Sequence, residues 1–543
     1  MTERDPDLDL LNRFVRGRVS RRDAIKRGAA LGLSLPALGA FTAARPGGAA
    51  ALPARQDVPV GEITWGLETT VPNVIPFGGI ALAQWQGKEF MYDSLLEWDA
   101  DLNVLPSLAE SFETPDDTTY IFHLRRGVKF HDGAEMTAKD VKYSLDAALN
   151  PPEPGVKVPY LVNVVGVEIV DDYTVKVTMS KLDPTLIGTL AWTHYTPIVP
   201  EGVLDRINPL SEGIGAGPFK LVEFVPEDQI VYEAFPDYWR EDIPKIAKLT
   251  IKMQPDEPAR IAALRSGEII GTTLTPDSAR TLEGDSELSI LTGLTSAPQV
   301  IQFNMVQNVP WRDVNVRKAI NLAVDRQEII DKVYAGNAVL TGVIPPGFGD
   351  WPQPEADLAA AYTQNVEMAT QLMTDAGFPD GFDVTLQSIA SPRSHTQIAE
   401  IVQEQLKAIN INVSVEPLEI GSFAANIGKG EFQWASTARG MRGDPSAHVV
   451  DFRSGTANNL VWFGDGWKSE EFDTLYDEAL ATLDHEERKA KYLRLQQIIT
   501  EEVPNLYIVQ PMKYQVVNNA LTGMYVFYGN TNYGLRTATV AEE

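Results

Sequence analysis

The sequence predicts an α/β chain of two unlike lobes, and three features of its order say so. Up to about residue 300, short apolar or alternating runs of strand type dominate. From there to about residue 503, strand runs alternate with long helical patterns, the signature of βα units. A last β-rich stretch, Asn505–Val517, differs from the βα region before it. It is expected to return to the first lobe, so that the chain crosses between lobes at least twice.

Taken in order, the chain opens on a segment with its own charge. Residues 1–51 hold nine basic against five acidic groups, and the remainder holds 37 against 69. The net charge of −28 thus sums a +4 segment and a −32 remainder. Arg21 and Arg22 precede an uncharged run, Gly28–Ala44, and then the small residues Gly47–Ala51. A basic, then apolar, then small-residue order is that of a secretory signal. Ser20–Lys26 resembles the twin-arginine export motif, with Ala24 where an aromatic residue or Leu is usual. Cleavage is expected within residues 44–56. The alternative, a membrane anchor, is disfavoured because the run falls short of the ~20 residues that span a bilayer and contains Pro36.

Strands are expected at Glu62–Leu67 and Thr119–Leu124, then at Val167–Val170 and Tyr173–Met179 around an Asp171-Asp172 turn. Pro218–Phe224, Gln229–Ala234 and Leu249–Met253 read as an antiparallel set. Gln299–Asn304, Asp383–Ser388 and Ile411–Glu416 follow. Helical spacing predicts helices over 316–334, 366–376, 396–408 and 486–501, the last capped by Asp484. Thr137 is placed to cap a helix over 138–149. Charges or prolines interrupt every later apolar run, so no further segment reads as membrane-spanning.

Composition removes several classes of function. An acidic chain lacks the basic surface that nucleic acid requires. With no cysteine, thiol catalysis, thiolate metal sites and a lipid tether are excluded. The six histidines are dispersed without metal-ligand spacing, so neither a metal nor another cofactor is expected. Gly213–Pro218 fails as a dinucleotide loop because Pro218 and a strand stand where a helix should begin. No nucleophile elbow or zinc-protease pair occurs. The chain therefore reads as a binder rather than an enzyme, with an exported hydrolase as the alternative.

Motifs running through most of the chain resemble the extracellular solute-binding proteins of family 5, which serve dipeptide, oligopeptide and nickel importers of the ATP-binding-cassette (ABC) type. The resemblance rests on Tyr92–Trp98, Pro106–Phe112, Tyr120–Gly133, Thr137–Val141, Gly215–Leu221, Tyr238-Trp239, Asp313–Ile320, Ala323–Arg326 and Asp444-Pro445. It implies a two-lobed periplasmic binding protein fold of class II type with mixed sheets, and an extra small α+β subdomain in the first lobe. The implied division is a signal at 1–51, first lobe at 58–94, extra subdomain at 95–214 and first lobe again at 215–298. The second lobe would take 299–503, and 504–543 would return to the first. It further implies a monomer, exported to the periplasm or cell envelope without a lipid anchor, that traps a solute by hinge closure and delivers it to a membrane permease. Peptides and other medium-sized polar solutes are the expected ligands.

The motifs themselves read as turns and caps. The informative departure lies in Arg439–Pro445. Peptide-binding members carry Asp three residues before the acidic residue of the acid-Pro pair, where it holds the ligand's amino group. Here that position is Met441, which cannot neutralise an ammonium and would form an apolar wall. Arg439 and, second, Arg442 flank it, and a guanidinium suits an anionic or polyol ligand. The competing reading is that both arginines bridge surface acids, which are common in so acidic a chain. Trp192, His194, Tyr195 and Trp434 are candidates for stacking on the ligand, or else for core packing. Arg317, on an otherwise apolar helix, is expected to bridge acids near the lobe junction.

Overall fold

The computed structural model describes residues 59–77, 82–152, 155, 161–390, 393–440, 444–482 and 484–541. The signal expected at 1–51 lies outside the described residues, as do Met441 and Arg442.

Two large sheets organise the molecule. The first, in spatial order, runs Leu288–Leu294, Val509–Asn518, Gly271–Leu274, Val60–Leu67, Ile246–Met253, Gln229–Ala234 and Phe219–Val225. Val60–Leu67 is parallel to Ile246–Met253 and Gly271–Leu274, while the remaining pairs are antiparallel. The second sheet runs Ile411–Leu418, Phe382–Ile389, Trp434–Ala438, Gln299–Phe303 and Asn505–Tyr507, and it too mixes parallel and antiparallel pairs. Helices such as Val314–Ala323, Val366–Asp375, Ser394–Leu406 and His485–Glu502 belong to this second lobe.

Between the first two strands of the first sheet lies a small α+β unit. Its four strands, Ala109–Asp116, Thr119–Leu124, Thr174–Met179 and Val164–Asp171, form an antiparallel sheet against which the helix Ala138–Leu149 packs. Thr119–Leu124 and Thr174–Met179 bury every second residue, as a sheet covered on one face requires. The Thr137 backbone N–H donates to Asp140 Oδ2 at 2.8 Å, so the helix start is held as foreseen.

The lobes are joined by an antiparallel ribbon. Leu288–Leu294 pairs with Met512–Asn518 in the first sheet, and Gln299–Phe303 pairs with Asn505–Tyr507 in the second. The Ile508 N–H donates to the Gln299 carbonyl at the crossing point. The stretch Asn505–Val517 thus serves both sheets, more than the expected return to the first.

Three expectations need correction. The helix 316–334 is two helices, Val314–Ala323 and Arg326–Tyr334. Val324 is extended, and Asp325 accepts from the N–H groups of Gln327 and Glu328, so the second helix has its own cap. The hairpin of the small sheet turns at Asp172-Tyr173, one residue later than expected, because Asp171 Oδ1 takes the Tyr173 N–H at 2.8 Å. Arg317 bridges no acid side chain among the described residues. It donates instead to the carbonyls of Glu502, Trp311 and Arg312, at 2.8, 3.1 and 2.8 Å. A buried guanidinium is here satisfied by helix-end carbonyls that would otherwise be orphaned.

The glycine-rich loop before Phe219 is a packing device. A Cβ on Gly217 would stand 2.5 Å from the Met91 carbonyl carbon, and the Gly217 N–H donates to the Met91 carbonyl oxygen. His131 closes the same turn through the Gly217 carbonyl at 3.0 Å, and burial pushes its pKa down to about 4.

Candidate functional site

Trp192, His194 and Tyr195 come together in a turn just after the helix Thr185–Leu190. His194 stacks on Trp85 at 5.2 Å between ring centroids, and Trp192 meets both rings edge-on. Phe527 stacks on Trp192 from the C-terminal return. The neighbouring Tyr528 donates to the Pro346 carbonyl at 3.0 Å, in the segment that follows the second-lobe helix Arg326–Tyr334. The aromatic nest therefore sits one residue from a contact between the C-terminal return and the segment after Arg326–Tyr334.

His194 is 2% exposed, yet neither ring nitrogen has a hydrogen-bond partner, and the indole N–H of Trp192 has none either. Burial, with the charges of Lys88 and Arg536, holds the imidazole pKa well below its ordinary value. The ring is thus neutral at pH 7, with one nitrogen able to donate and the other able to accept. Lys88 props the nest from behind, its ammonium donating to the carbonyls of Ile75, Pro76 and His194 at 3.3, 2.7 and 3.1 Å.

Trp434 stands elsewhere. It is fully buried among Phe303, Trp311 and Phe382 in the second-lobe core, so it packs rather than stacks on a ligand. Arg439 is half-buried and paired with Asp451 at 2.7 Å, with its guanidinium 4.8 Å over the Trp462 ring. Asn458 holds the other Asp451 oxygen at 2.8 Å. The carboxylate neutralises the arginine, so Arg439 does bridge an acid, though a buried one rather than the surface acid the alternative named. An incoming anion would have to share this guanidinium with Asp451.

A cavity of about 290 Å³ opens between the small α+β unit and the second lobe. Trp98, Phe112 and Tyr120 wall it on one side, and Phe348, Trp351 and His485 on the other. Arg488 and Asp444 form its floor as a buried ion pair, 2.7 Å apart. Of the motif residues, Trp98, Phe112, Tyr120, Asp444 and Pro445 line it, whereas among the described residues none of the ligand contacts expected from sequence does. The cavity has no local sequence sign, because its walls come from segments hundreds of residues apart.

Residues 103–459 match the model of bacterial extracellular solute-binding proteins, family 5. The chain belongs to that family. Among its relatives, the glutathione-binding protein GsiB of Salmonella choleraesuis is 29% identical over 465 residues, covering 82% of this chain and 88% of the relative. Heme-binding protein A of Haemophilus influenzae is 30% identical over 457 residues, covering 76% and 80%. The solved structure of the binding protein AgaA from A. tumefacien R10, in complex with agropinic acid, superposes with a TM-score of 0.77 at 26% identity, covering 89% and 99%. This solute-binding protein is therefore an ABC importer component with the two-lobed α/β fold, and not an enzyme. Family members are periplasmic, and among the described residues no helix is long and apolar enough to cross a membrane.

Proposed function

We propose that this solute-binding protein captures a medium-sized polar solute, a peptide or a compound of similar size, between its lobes and passes it to a permease. It works as a monomer, exported through the twin-arginine-like segment and free of a lipid anchor. The observation that carries the reading is the buried His194 ring with two unpartnered nitrogens, framed by Trp85 and Trp192. Leaving buried polar atoms unpaired costs about 1–3 kcal/mol each, a cost that a polar ligand removes. Aromatic faces beside such a group suit a flat or ring-bearing polar solute. Relatives that bind glutathione and agropinic acid support the size class. Asp451 neutralises Arg439, so this arginine by itself favours a zwitterion or neutral solute over a bare anion. Trp192, His194, Tyr195 and Arg439 are the contacts proposed, and Met441 and Arg442 are proposed from the sequence alone.

A thermal-shift panel of peptides, peptide conjugates, sugars and organic anions on the mature chain tests this. A true ligand at 100 times its Kd adds about 2.7 kcal/mol of stability. His194→Phe keeps the ring stack but removes both nitrogens, and it is expected to weaken that ligand at least tenfold. Unchanged affinity in His194→Phe would remove the nest from the site.

A further inference from the structure

The cavity between the small α+β unit and the second lobe has walls of one chemistry and a rim of another. Trp98, Tyr120, Phe348 and Trp351 line it, and the Arg488 guanidinium stands 5.3 Å over the Trp351 ring. Arg488, the one guanidinium among the described lining residues, is already neutralised: Asp444 takes one nitrogen at 2.7 Å, and the Ala479 carbonyl takes another at 3.2 Å. It is no receptor for an anion. The rim bears Asp116 and Asp117, exposed on the hairpin between the first two strands of the small sheet. Asp116 accepts the N–H and hydroxyl of Thr118, which lower its pKa, so it stays ionised at any ordinary pH.

His485 adds the second observation. Its Nε2 lies 2.8 Å from Asp350 Oδ2, and the Asp350 carboxylate is held well below the usual range by His485 and Lys489. Nε2 therefore carries a proton and donates it to that carboxylate. The side chain is 90% buried, yet Nδ1 has no partner. In the tautomer whose Nε2 donates to Asp350, Nδ1 is an acceptor. Trp351 meets the imidazole edge-on at 4.6 Å and fixes its plane.

We propose that this cavity is a second ligand compartment that takes a flat organic cation, an aromatic body carrying an ammonium group. The ring packs among the aromatic side chains of Trp98, Tyr120 and Phe348, whose faces attract a cation. An N–H of the ligand satisfies His485 Nδ1, and Asp116 and Asp117 attract the positive charge. Among the described lining residues, an anion of the same shape meets Asp116 and Asp117 and no unpaired cation. Because the walls belong to bodies on either side of the cleft, such a ligand binds the closed arrangement better than an open one and shifts the protein towards it. That last step rests on the capture reading above; the site itself does not.

The test uses the mature chain with tryptamine and indole-3-acetate, which share a ring and differ in charge. Titration calorimetry is expected to show tryptamine binding at least tenfold more tightly than indole-3-acetate. Asp116→Asn with Asp117→Asn lies on an exposed hairpin and leaves the fold intact. It is expected to weaken tryptamine three- to tenfold and to flatten the salt dependence. His485→Phe is expected to lose a further tenfold. Equal binding of the two compounds, or none at millimolar concentration, overturns the proposal. So does loss of tryptamine binding in His194→Phe, which would place the ligand in the aromatic nest. If tryptamine binds as described while no solute of the panel does, the capture reading fails and the compartment stands.

Discussion

Arg536 and Asp93 form an ion pair in which both side chains are 2% exposed, and it ties the C-terminal return to the first lobe. Asp93 also accepts from Tyr238 Oη at 2.9 Å and Trp239 Nε1 at 2.8 Å. Arg536 further donates to the carbonyls of Glu89 and Tyr92, at 3.4 and 3.3 Å, and to Tyr533 Oη at 3.0 Å. Removing one member of a buried pair strands the other charge and costs about 3–5 kcal/mol. The contacts rank the two substitutions. In Arg536→Met, Asp93 keeps two short donors, so the loss should fall near the lower bound. In Asp93→Asn, the guanidinium keeps only longer contacts, so the loss should fall near the upper bound. The double variant strands neither charge, and a coupling energy on the order of 2–3 kcal/mol is expected. Urea unfolding of the mature proteins measures all three, through midpoints compared at constant m. Single losses below about 1 kcal/mol, or strict additivity, would refute the reasoning.

Trp434→Ala should cost about 3–5 kcal/mol in the same assay and leave ligand affinity within twofold, since the ring is wholly in the core. Gly217→Ala should cost about 1–3 kcal/mol, because the new methyl meets the backbone of Met91 and Tyr92, which cannot step aside. Glu89 gives a pH signature. Burial raises its pKa from 4.5 to about 8, against the opposing pull of Thr531, Asn532, Lys513 and Arg536. Its stabilising contribution is full below pH 4.5 and is lost as pH rises to about 8, since the unfolded carboxyl ionises first. Glu89→Gln should flatten that slope in unfolding curves taken from pH 4.5 to 8. An unchanged slope would show that another group sets it.

What the sequence made legible was whatever depends on near neighbours. The alternation in Thr119–Leu124 and the cap at Thr137 each sit within one element, and both appear where expected. The break at Val324-Asp325 carried a local sign as well, an aspartate followed by two N–H groups to cap, but the apolar spacing on either side outweighed it. Arg317 was misjudged for another reason. In so acidic a chain a carboxylate is the obvious partner, whereas the nearest acceptors prove to be helix-end carbonyls. The nest of Trp192, His194 and Tyr195 was legible because its members are sequence neighbours. Its partners Trp85 and Phe527, and the walls of the 290 Å³ cavity, meet only through the topology.

The ribbon that joins the lobes also orders events in time. Strand Val509–Asn518 fills the slot between Gly271–Leu274 and Leu288–Leu294, so the first sheet has a gap until that strand is synthesised. A growing chain can complete the small α+β unit early, but the first lobe waits for residues made more than two hundred positions later. Its half-built sheet meanwhile exposes two unpaired edges, the template for wrong pairing. Such a protein is a natural client for chaperones during synthesis. An export route that moves only finished cargo would let the cytoplasm complete that late step before the chain leaves.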